Sequence, residues 1–196
     1  LQAYYNTATS ASGYTATMTA TLDQLQTYFG KPGDQGSLDT AFGAFENTLQ
    51  SLGTSPDDFA TRATVVSKAQ SLVATLNSMS SNIQSLRQST ETQIQASVTM
   101  LNQSLNSLAQ INQHLADQTG DPASRAALMD QRDRLVTTIS EQVDVQASYR
   151  SDGTVALMTR TGVGVLDVKA ATFQFEPAGT LTADKQFNLD PAKSGV

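Results

Sequence analysis

The chain has 196 residues, of which 39% are apolar, only 15% are charged and none is Cys or Trp. The absence of Cys excludes disulfides, thiolate nucleophiles and zinc–thiolate sites, and it suits either a cytosolic or an exported protein. With a net charge of -6, no Lys/Arg-rich run and no apolar run near the roughly 20 residues that span a bilayer, neither nucleic acid nor a membrane is an expected partner.

The first part of the chain predicts two helices with a break between them. Apolar residues recur at helical spacing from Leu1 to about Phe29, and the following run GKPGDQG, residues 30–36, cannot continue a helix. This run lacks the Gly-Lys-Ser/Thr ending of a phosphate-binding loop, so a nucleotide is not expected there. Ser37 is expected to cap a second helix that ends at Gly53 in a left-handed stop. Its apolar face comprises Leu38, Phe42, Phe45, Leu49 and Leu52.

A long third helix is predicted from Pro56 to Thr119. The order Ser55-Pro56-Asp57-Asp58 is typical of a helix start, and neither Gly nor a further Pro interrupts the run. Its apolar residues alternate steps of four and three, as in a coiled-coil seam, with a stutter through Thr90, Ile94 and Val98. We expect this seam to pack against flanking helices or a neighbouring subunit. The seam comprises Leu72, Leu76, Met79, Ile83, Leu86, Leu101, Leu105, Leu108 and Leu115.

A return helix is predicted to complete a helical hairpin. Gly120 is expected to stop the long helix, and Asp121 and Pro122 supply the cap and first residue of the next one. The return helix is expected to end near Gln142, with the charged residues between 125 and 134 mostly away from its inward face. That face comprises Ala126, Leu128, Met129, Leu135, Val136 and Ile139.

The remaining residues, 143–196, predict a β segment. VDVQASYR and VALMTR read as two strands around Asp152 and Gly153, because Gly supplies the positive φ that a tight hairpin needs. Further strands are predicted in VGVLDV, TFQF and QFNL. The predicted class is therefore mainly α with a β part. Residues 1–142 are expected to form an elongated bundle of long antiparallel helices, and residues 143–196 a partial β domain.

The charged run LMDQRDRLV, residues 128–136, is the main candidate for a reaction centre. Asp130 and Asp133 share a helix face and are spaced as an acid/base pair would be. Yet Arg134 can pair with Asp130 at the i, i+4 position, and Arg132 or Arg125 can hold the rest in a solvated or interhelical network. Since no His, Cys or second acid cluster lies nearby, we favour the structural interpretation and assign no catalytic residue.

Two further motifs carry weak signals. His114 is the only histidine and lies near the C-terminal end of the long helix, where a cation faces the helix dipole. A metal site or a catalytic triad would depend on this single imidazole. Asn102-Gln103-Ser104 matches a glycosylation acceptor, but a position in the middle of a helix is a poor one. We therefore predict no metal, no cofactor and no enzymatic activity.

Four features lie in order along residues 1–167: the paired Phe42 and Phe45, SPDDFATR, LNSMSSNIQSLRQ and LMDQRDRLV. Together they resemble the bacterial flagellar hook-associated protein 1 family (FlgK). The resemblance implies an axial protein that is exported and joins the hook to the filament on the outside of the cell. It also implies a flagellin-like helical core, no catalytic residues, and a role for DQRDRLV as a joint between a helical arm and an outward-facing β domain.

The same resemblance implies the partners. These are other copies of the protein, the hook protein, the next hook-associated junction protein and an export chaperone. The terminal helices that form the family's inner tube are not recognised at either end, so we expect a central fragment that is a monomer or a weak oligomer. Two rival functions stay open: a helical sensory module with a ligand pocket and flanking membrane spans, and another flagellar axial protein such as flagellin.

Overall fold

The helices and strands follow the predicted order. A computed structural model of the protein describes residues 2–117, 121–182 and 184. Its helices are α1 (Gln2–Phe29), α2 (Leu38–Thr54), α3 (Phe59–Ala116) and α4 (Pro122–Gln142). Its strands are β1 (Val145–Tyr149), β2 (Val155–Thr159) and β3 (Gly164–Leu166). The predicted class, mainly α with a β part, is therefore confirmed.

The described residues fall into two compact units. The first unit takes residues from 2–18 and 91–178, and the second takes residues from 19–90 and 179–184. α4 and the sheet belong to the first unit and α2 to the second, whereas α1 and α3 contribute to both. The division into a helical domain of residues 1–142 and a β domain of residues 143–196 follows secondary structure alone and stays a prediction.

Ser37 precedes α2 as predicted, but its side chain does not cap the helix. The Ser37 hydroxyl instead donates to the Asp34 carbonyl at 2.8 Å. The residue is buried against Gly30, where an added Cβ would lie 3.0 Å from the Ser37 backbone. The same hydroxyl lies 3.0 Å from the Thr40 hydroxyl in the first turn of α2, so it links the loop to the helix without accepting from a free backbone N–H group.

The predicted left-handed stop at Gly53 is wrong. α2 continues through Gly53 to Thr54, and the chain leaves the helix at Ser55, which has a φ of -138°. The Ser55 N–H still donates to the Ser51 carbonyl at 3.1 Å. Because helical bonding extends past the glycine, its ability to adopt a positive φ is not used here.

α3 begins at Phe59, later than predicted. The Asp58 carboxylate accepts hydrogen bonds from the backbone N–H of Ala60 at 3.3 Å and of Thr61 at 3.1 Å. Since these bonds satisfy N–H groups that have no partner within the helix, Asp58 caps the helix in place of the predicted Ser55. The helix is then unbroken to Ala116. The predicted stop at Gly120 lies outside the described residues.

The seam of α3 is buried in the first unit and only partly covered in the second. In the first unit Leu105 and Leu108 are fully buried, whereas Leu76 in the second unit is 47% exposed. Burial of a Leu side chain contributes about 1.5–3 kcal/mol, so the first unit holds the stronger core. The buried core of the first unit comprises Leu101, Leu105, Leu108, Val136, Ile139, Val145, Val155, Leu157, Val165 and Leu166.

The sheet is antiparallel with strand order β1-β2-β3, and the predicted hairpin is confirmed. Tyr149 pairs with Val155 at its closed end, and Gly153 in the turn has a φ of 87°. VGVLDV forms a strand only over Gly164–Leu166, next to an irregularity in the pairing with β2. The hairpin turn, residues 150–154, therefore connects the end of β1 at Tyr149 to the start of β2 at Val155.

The predicted strand TFQF is wrong. Phe173 lies outside the strands of the sheet, and its N–H and C=O are both hydrogen-bonded to the side chain of Asn102. A helix side chain therefore occupies the groups that a neighbouring strand would need. The predicted strand QFNL, residues 186–189, lies outside the described residues.

Candidate functional site

The two ends of the charged run 128–136 behave differently. Arg134 pairs with Asp130 at 3.2 Å in the predicted i, i+4 arrangement, and both side chains are more than 70% exposed. Asp133 does not face Asp130 as an acid/base partner would, because its carboxylate is held by Arg132 at 2.8 Å. An exposed pair of this kind contributes about 0–1 kcal/mol, which fits a solvated helix face.

Arg132 points inward, contrary to the prediction that the charged residues lie mostly away from the inward face. It is 8% exposed, and its Nη1 donates to the Gly153 carbonyl at 2.5 Å. Its guanidinium also lies over the Tyr149 ring, 4.8 Å from the centroid. The hairpin supplies both contacts, so the β segment covers this arginine and its charge is satisfied by a carbonyl, an aromatic face and a carboxylate.

The rest of the inward face of α4 is partly as predicted. Val136 and Ile139 are fully buried, and the other predicted members except Ala126 are half-buried. Ala126 is exposed, so its predicted place on the inward face is wrong. The hairpin turn reaches the helix at Arg132 and Arg125, and it leaves this alanine uncovered.

Arg125 joins the end of α3 to the hairpin turn. Its Nη1 donates to the Leu115 carbonyl at 3.1 Å, and its Nη2 donates to the Asp152 carbonyl. Leu115 lies in the last turn of α3, where carbonyls lack helical partners and a cation is favoured by the helix dipole. One guanidinium therefore satisfies acceptors on two different elements.

The turn itself is fixed by Asp152. Its carboxylate accepts hydrogen bonds from the Thr154 N–H at 2.9 Å and from the Thr154 hydroxyl at 2.7 Å. These two bonds, and then the positive charges of Arg150 and Arg125, hold the pKa of Asp152 below its ordinary value of 3.8. The ionised carboxylate is thus the form that the folded turn favours.

Asp121 caps α4 as predicted. Its carboxylate accepts from the N–H groups of Ala123 at 2.9 Å and Ser124 at 3.1 Å. The hydroxyl of Ser124 and these two N–H groups lower the pKa of Asp121 below 3.8. The start of the return helix is therefore fixed by local residues that the sequence displays.

Two asparagines on α3 were not recognised as structural residues from the sequence. Asn112 is buried and bonded through its amide to both backbone groups of Val155, at 2.7 Å and 3.0 Å. Asn102 is bonded in the same way to Phe173, at 2.8 Å and 2.9 Å, which engages the amide nitrogen considered above as a glycosylation acceptor. The available signal was the gap between Leu108 and Leu115 in the seam, which Asn112 fills.

The contacts described so far are hydrogen bonds, ion pairs and the contact of Arg132 with the Tyr149 ring. His114 is exposed in the last turn of α3, as expected, and is not part of the arrangement around the hairpin. Across the parts of the chain that the structure describes, no three His, Asp or Glu side chains are grouped so that they could hold a metal ion. Within residues 2–117, 121–182 and 184, no helix has the length and apolar character needed to cross a membrane.

Together, Arg125, Arg132, Asn112 and the turn residues 150–154 form what we call the hairpin joint. Two guanidinium groups and one amide, all carried by helices, bind carbonyl or N–H groups of the hairpin. Such an arrangement orients one element on another. Its guanidinium and amide groups are bonded to backbone groups of another element, so it resembles an anchor.

Comparison with known proteins agrees with the resemblance noted in the sequence. A family model described as the flagellar hook-associated protein FlgK helical domain matches residues 22–194. Flagellar hook-associated protein 1 of Bacillus subtilis (strain 168) is 26% identical over 164 residues, which are 84% of this chain and 32% of that protein. The structure of the flagellar hook junction protein FlgK from Burkholderia pseudomallei matches with a TM-score of 0.74 and 28% identity, over 85% of this chain and 29% of that chain.

The chain thus spans about a third of the length of these two relatives. The family model, in contrast, extends over most of the chain, including α2, α3, α4 and all three strands. On this match, the chain belongs to the family of the flagellar hook-associated protein FlgK, whose helical domain it carries.

Proposed function

We propose that the chain is part of a structural protein of the bacterial flagellum that joins the hook to the filament by packing side by side with copies of itself. Support comes from the family, and from relatives whose names describe a hook-associated protein and a hook junction protein. Those names concern the relatives themselves, of which this chain matches about a third. The junction role of this chain is an extension from them.

The observation that carries the proposal is the uncovered apolar surface of the second unit. α2 has no buried residue, and Phe42 and Leu76 are 54% and 47% exposed. Both line an open groove of about 570 Å³ whose walls are almost wholly apolar. Contiguous exposed apolar surface on an otherwise polar protein is typical of a protein–protein contact. The groove is lined by Phe29, Gly30, Pro32, Leu38, Asp39, Phe42, Leu72 and Leu76.

The composition suits repeated contacts between copies. Only 15% of the residues are charged, so like-charge repulsion and the cost of removing charges from water are both small where two such surfaces meet. The finer partners belong to the proposal as well: the hook protein, the next hook-associated junction protein and an export chaperone. So do a location on the flagellum outside the cell and the absence of catalysis.

A gene replacement in the source bacterium tests the role. Deletion of the gene is expected to leave the hook in place but to release flagellin into the medium, because filament can no longer attach. Electron microscopy of cells and immunoblotting of the medium for flagellin measure this. Filaments that remain attached in the deletion strain would disprove the proposed role. A strain with no flagellin in cells or medium would favour the flagellin alternative instead.

Complementation then tests the apolar groove. A gene carrying Leu76→Asp is expected to fail to restore attached filaments, because a carboxylate in the groove would be buried at a contact. The matched control is Asn77→Asp, which introduces the same charge at the neighbouring exposed position. Circular dichroism of both purified variants shows whether the helices persist. Restoration by Leu76→Asp equal to that of the control would remove the groove from the proposal.

The sensory alternative gains no support from the family match. It would require membrane-spanning helices in the gene on either side of this chain, and sequencing of the gene would test for them.

A further inference from the structure

The polar residue at the centre of the α3 core is Asn112. The seam in the first unit continues in steps of four, three, four and three through Leu101, Leu105, Leu108, Asn112 and Leu115. Asn112 thus occupies a position that the repeat assigns to an apolar side chain, and it is 6% exposed. A buried amide at such a position lowers stability unless each of its polar atoms finds a partner.

The partner of Asn112 is a single residue, Val155. The Asn112 Nδ2 donates to the Val155 carbonyl at 2.7 Å, and the Val155 N–H donates to the Asn112 Oδ1 at 3.0 Å. This is the pair of bonds that one strand residue would exchange with a residue opposite it in an antiparallel sheet. At Val155, the first residue of β2, the Asn112 amide therefore makes the two hydrogen bonds that a neighbouring strand would make.

Asn112 bonds to β2 at a position where β3 provides no hydrogen-bond partner. The Thr154 carbonyl accepts from the Arg150 N–H at 2.9 Å, so Thr154 faces the β1 side and Val155, the next residue, faces the opposite side. On that opposite side Leu157 is in register with Leu166, the last residue of β3. Beyond it β3 has ended, and the α3 amide continues the hydrogen bonding of β2.

We infer that Asn112 sets the register of the β hairpin on α3. The leucines of the seam give non-directional burial, and a hairpin displaced along the helix by one turn would still cover similar apolar surface. Only one register brings the amide against both backbone groups of Val155. Every other register buries the amide without partners, so the native register is selected by polar pairing.

A second asparagine applies the same pairing farther along the helix. Asn102 exchanges both bonds with Phe173 in the segment that follows the sheet. Two amides on one helix, each bonded to both backbone groups of one residue, fix two separate points of the segment 145–173. This inference concerns the first unit alone and holds whether or not the flagellar function is correct.

Hydrogen exchange of the unmodified 196-residue chain gives the first test. The Val155 amide should exchange as slowly as the Leu157 amide, although its acceptor is a side chain on another element. If the Val155 amide exchanges at the rate of an exposed amide, the bond to Asn112 does not hold in solution and the inference is overturned. This measurement needs no variant.

The register itself is measured with paired nitroxide labels. The chain contains no Cys, so labels can be attached through Gln113→Cys on α3 and Ser148→Cys on β1, both at exposed positions. Asn112→Leu in this background should replace a single narrow distance by a broadened or divided distribution. It should also speed exchange of the Val155 amide at least about tenfold, the effect of losing one buried hydrogen bond. Asn106→Leu, at an exposed position of the same helix, should leave the label distance and the exchange rate of the Val155 amide unchanged.

The distance between the two labels distinguishes an effect of Asn112 on register from an effect on stability. If Asn112 only stabilised the unit, its loss would speed exchange of Val155 and Leu157 alike and leave the distance unchanged. A single unchanged distance in Asn112→Leu therefore overturns the inference. If that variant fails to fold, Asn112→Gln replaces it: the amide is kept but lies one methylene farther from the helix, and the distance is expected to shift. An unchanged distance in Asn112→Gln overturns the inference equally.

Discussion

Replacing Arg132 by Ala tests whether the hairpin joint anchors the β segment. The substitution removes the hydrogen bond from Nη1 to the Gly153 carbonyl, 2.5 Å long, and the contact with the Tyr149 ring at 4.8 Å. It also removes the ion pair with Asp133 at 2.8 Å. The Gly153 carbonyl would then lack this buried donor, and Tyr149 would lose the side chain beneath it.

The size of the effect follows from the burial of each contact. A hydrogen bond from a charged donor contributes about 1.5–3 kcal/mol and the contact with the aromatic face about 0.5–2 kcal/mol. The ion pair adds about 0–1 kcal/mol, because Asp133 is 41% exposed. Removal of a buried charge recovers part of its desolvation cost, so we expect Arg132→Ala to lower the free energy of unfolding by roughly 2–4 kcal/mol.

Urea unfolding followed by circular dichroism measures this difference. The matched control is Arg134→Ala on the same helix, whose pair with Asp130 is more than 70% exposed on both sides, so its loss should cost less than about 0.5 kcal/mol. Hydrogen exchange should locate the effect of Arg132→Ala in the hairpin, and leave the second unit unchanged. Equal losses for the two variants would refute the reasoning that burial gives Arg132 its larger role.

Three further outcomes are expected. Four of the carboxylates whose pKa is lowered in the folded state stabilise it above the unfolded value of 3.8, and this contribution is lost as the pH falls through their folded pKa values. The melting temperature should therefore drop below about pH 4, and an unchanged melting temperature would contradict the role of these four carboxylates. They are Asp39, Asp58, Asp121 and Asp152. Gly153→Ala should lower the free energy of unfolding, measured in urea, more than Gly162→Ala does. Both glycines have a positive φ, which costs about 1–2 kcal/mol for a residue with a Cβ. Only at Gly153 would the added Cβ also meet a side chain, that of Met129 at 3.0 Å. Gly43→Ala, inside α2 with open space around the added Cβ, should raise the free energy of unfolding by about 0.5–1 kcal/mol, and a loss there would count against the helical assignment.

Elements that depend on local residues were predicted well. The hairpin followed from Asp152 and Gly153, and the start of α4 from Asp121 and Pro122, because each pair of residues imposes its own backbone geometry. The start of α3 was misplaced because several side chains near it can accept the same N–H groups. Only the folded chain decides that Asp58 takes them.

Strand TFQF failed for a different reason. Its alternation of apolar and polar residues is genuine, but a strand also needs a neighbour, and Asn102 supplies the partner for Phe173. The alternation in residues 172–175 contains no information about which hydrogen-bond partners another element will provide. A prediction from local pattern is therefore weakest where a helix side chain takes the place of a strand.

The hairpin joint shows the same limit at the level of the site. Sequence reasoning placed Arg132 in a solvated or interhelical network of charges. Helical periodicity separates apolar from polar residues, but it cannot tell which polar residue a hairpin will cover. The leucine seam predicts where burial occurs, and this prediction was correct for the first unit. Burial alone, however, leaves the hairpin free to slide, because apolar contacts have no direction. The residues that remove this freedom must be polar and buried, and they therefore interrupt the apolar pattern, as Asn112 does between Leu108 and Leu115. In a protein with few charges, such interruptions are the most informative positions in the sequence.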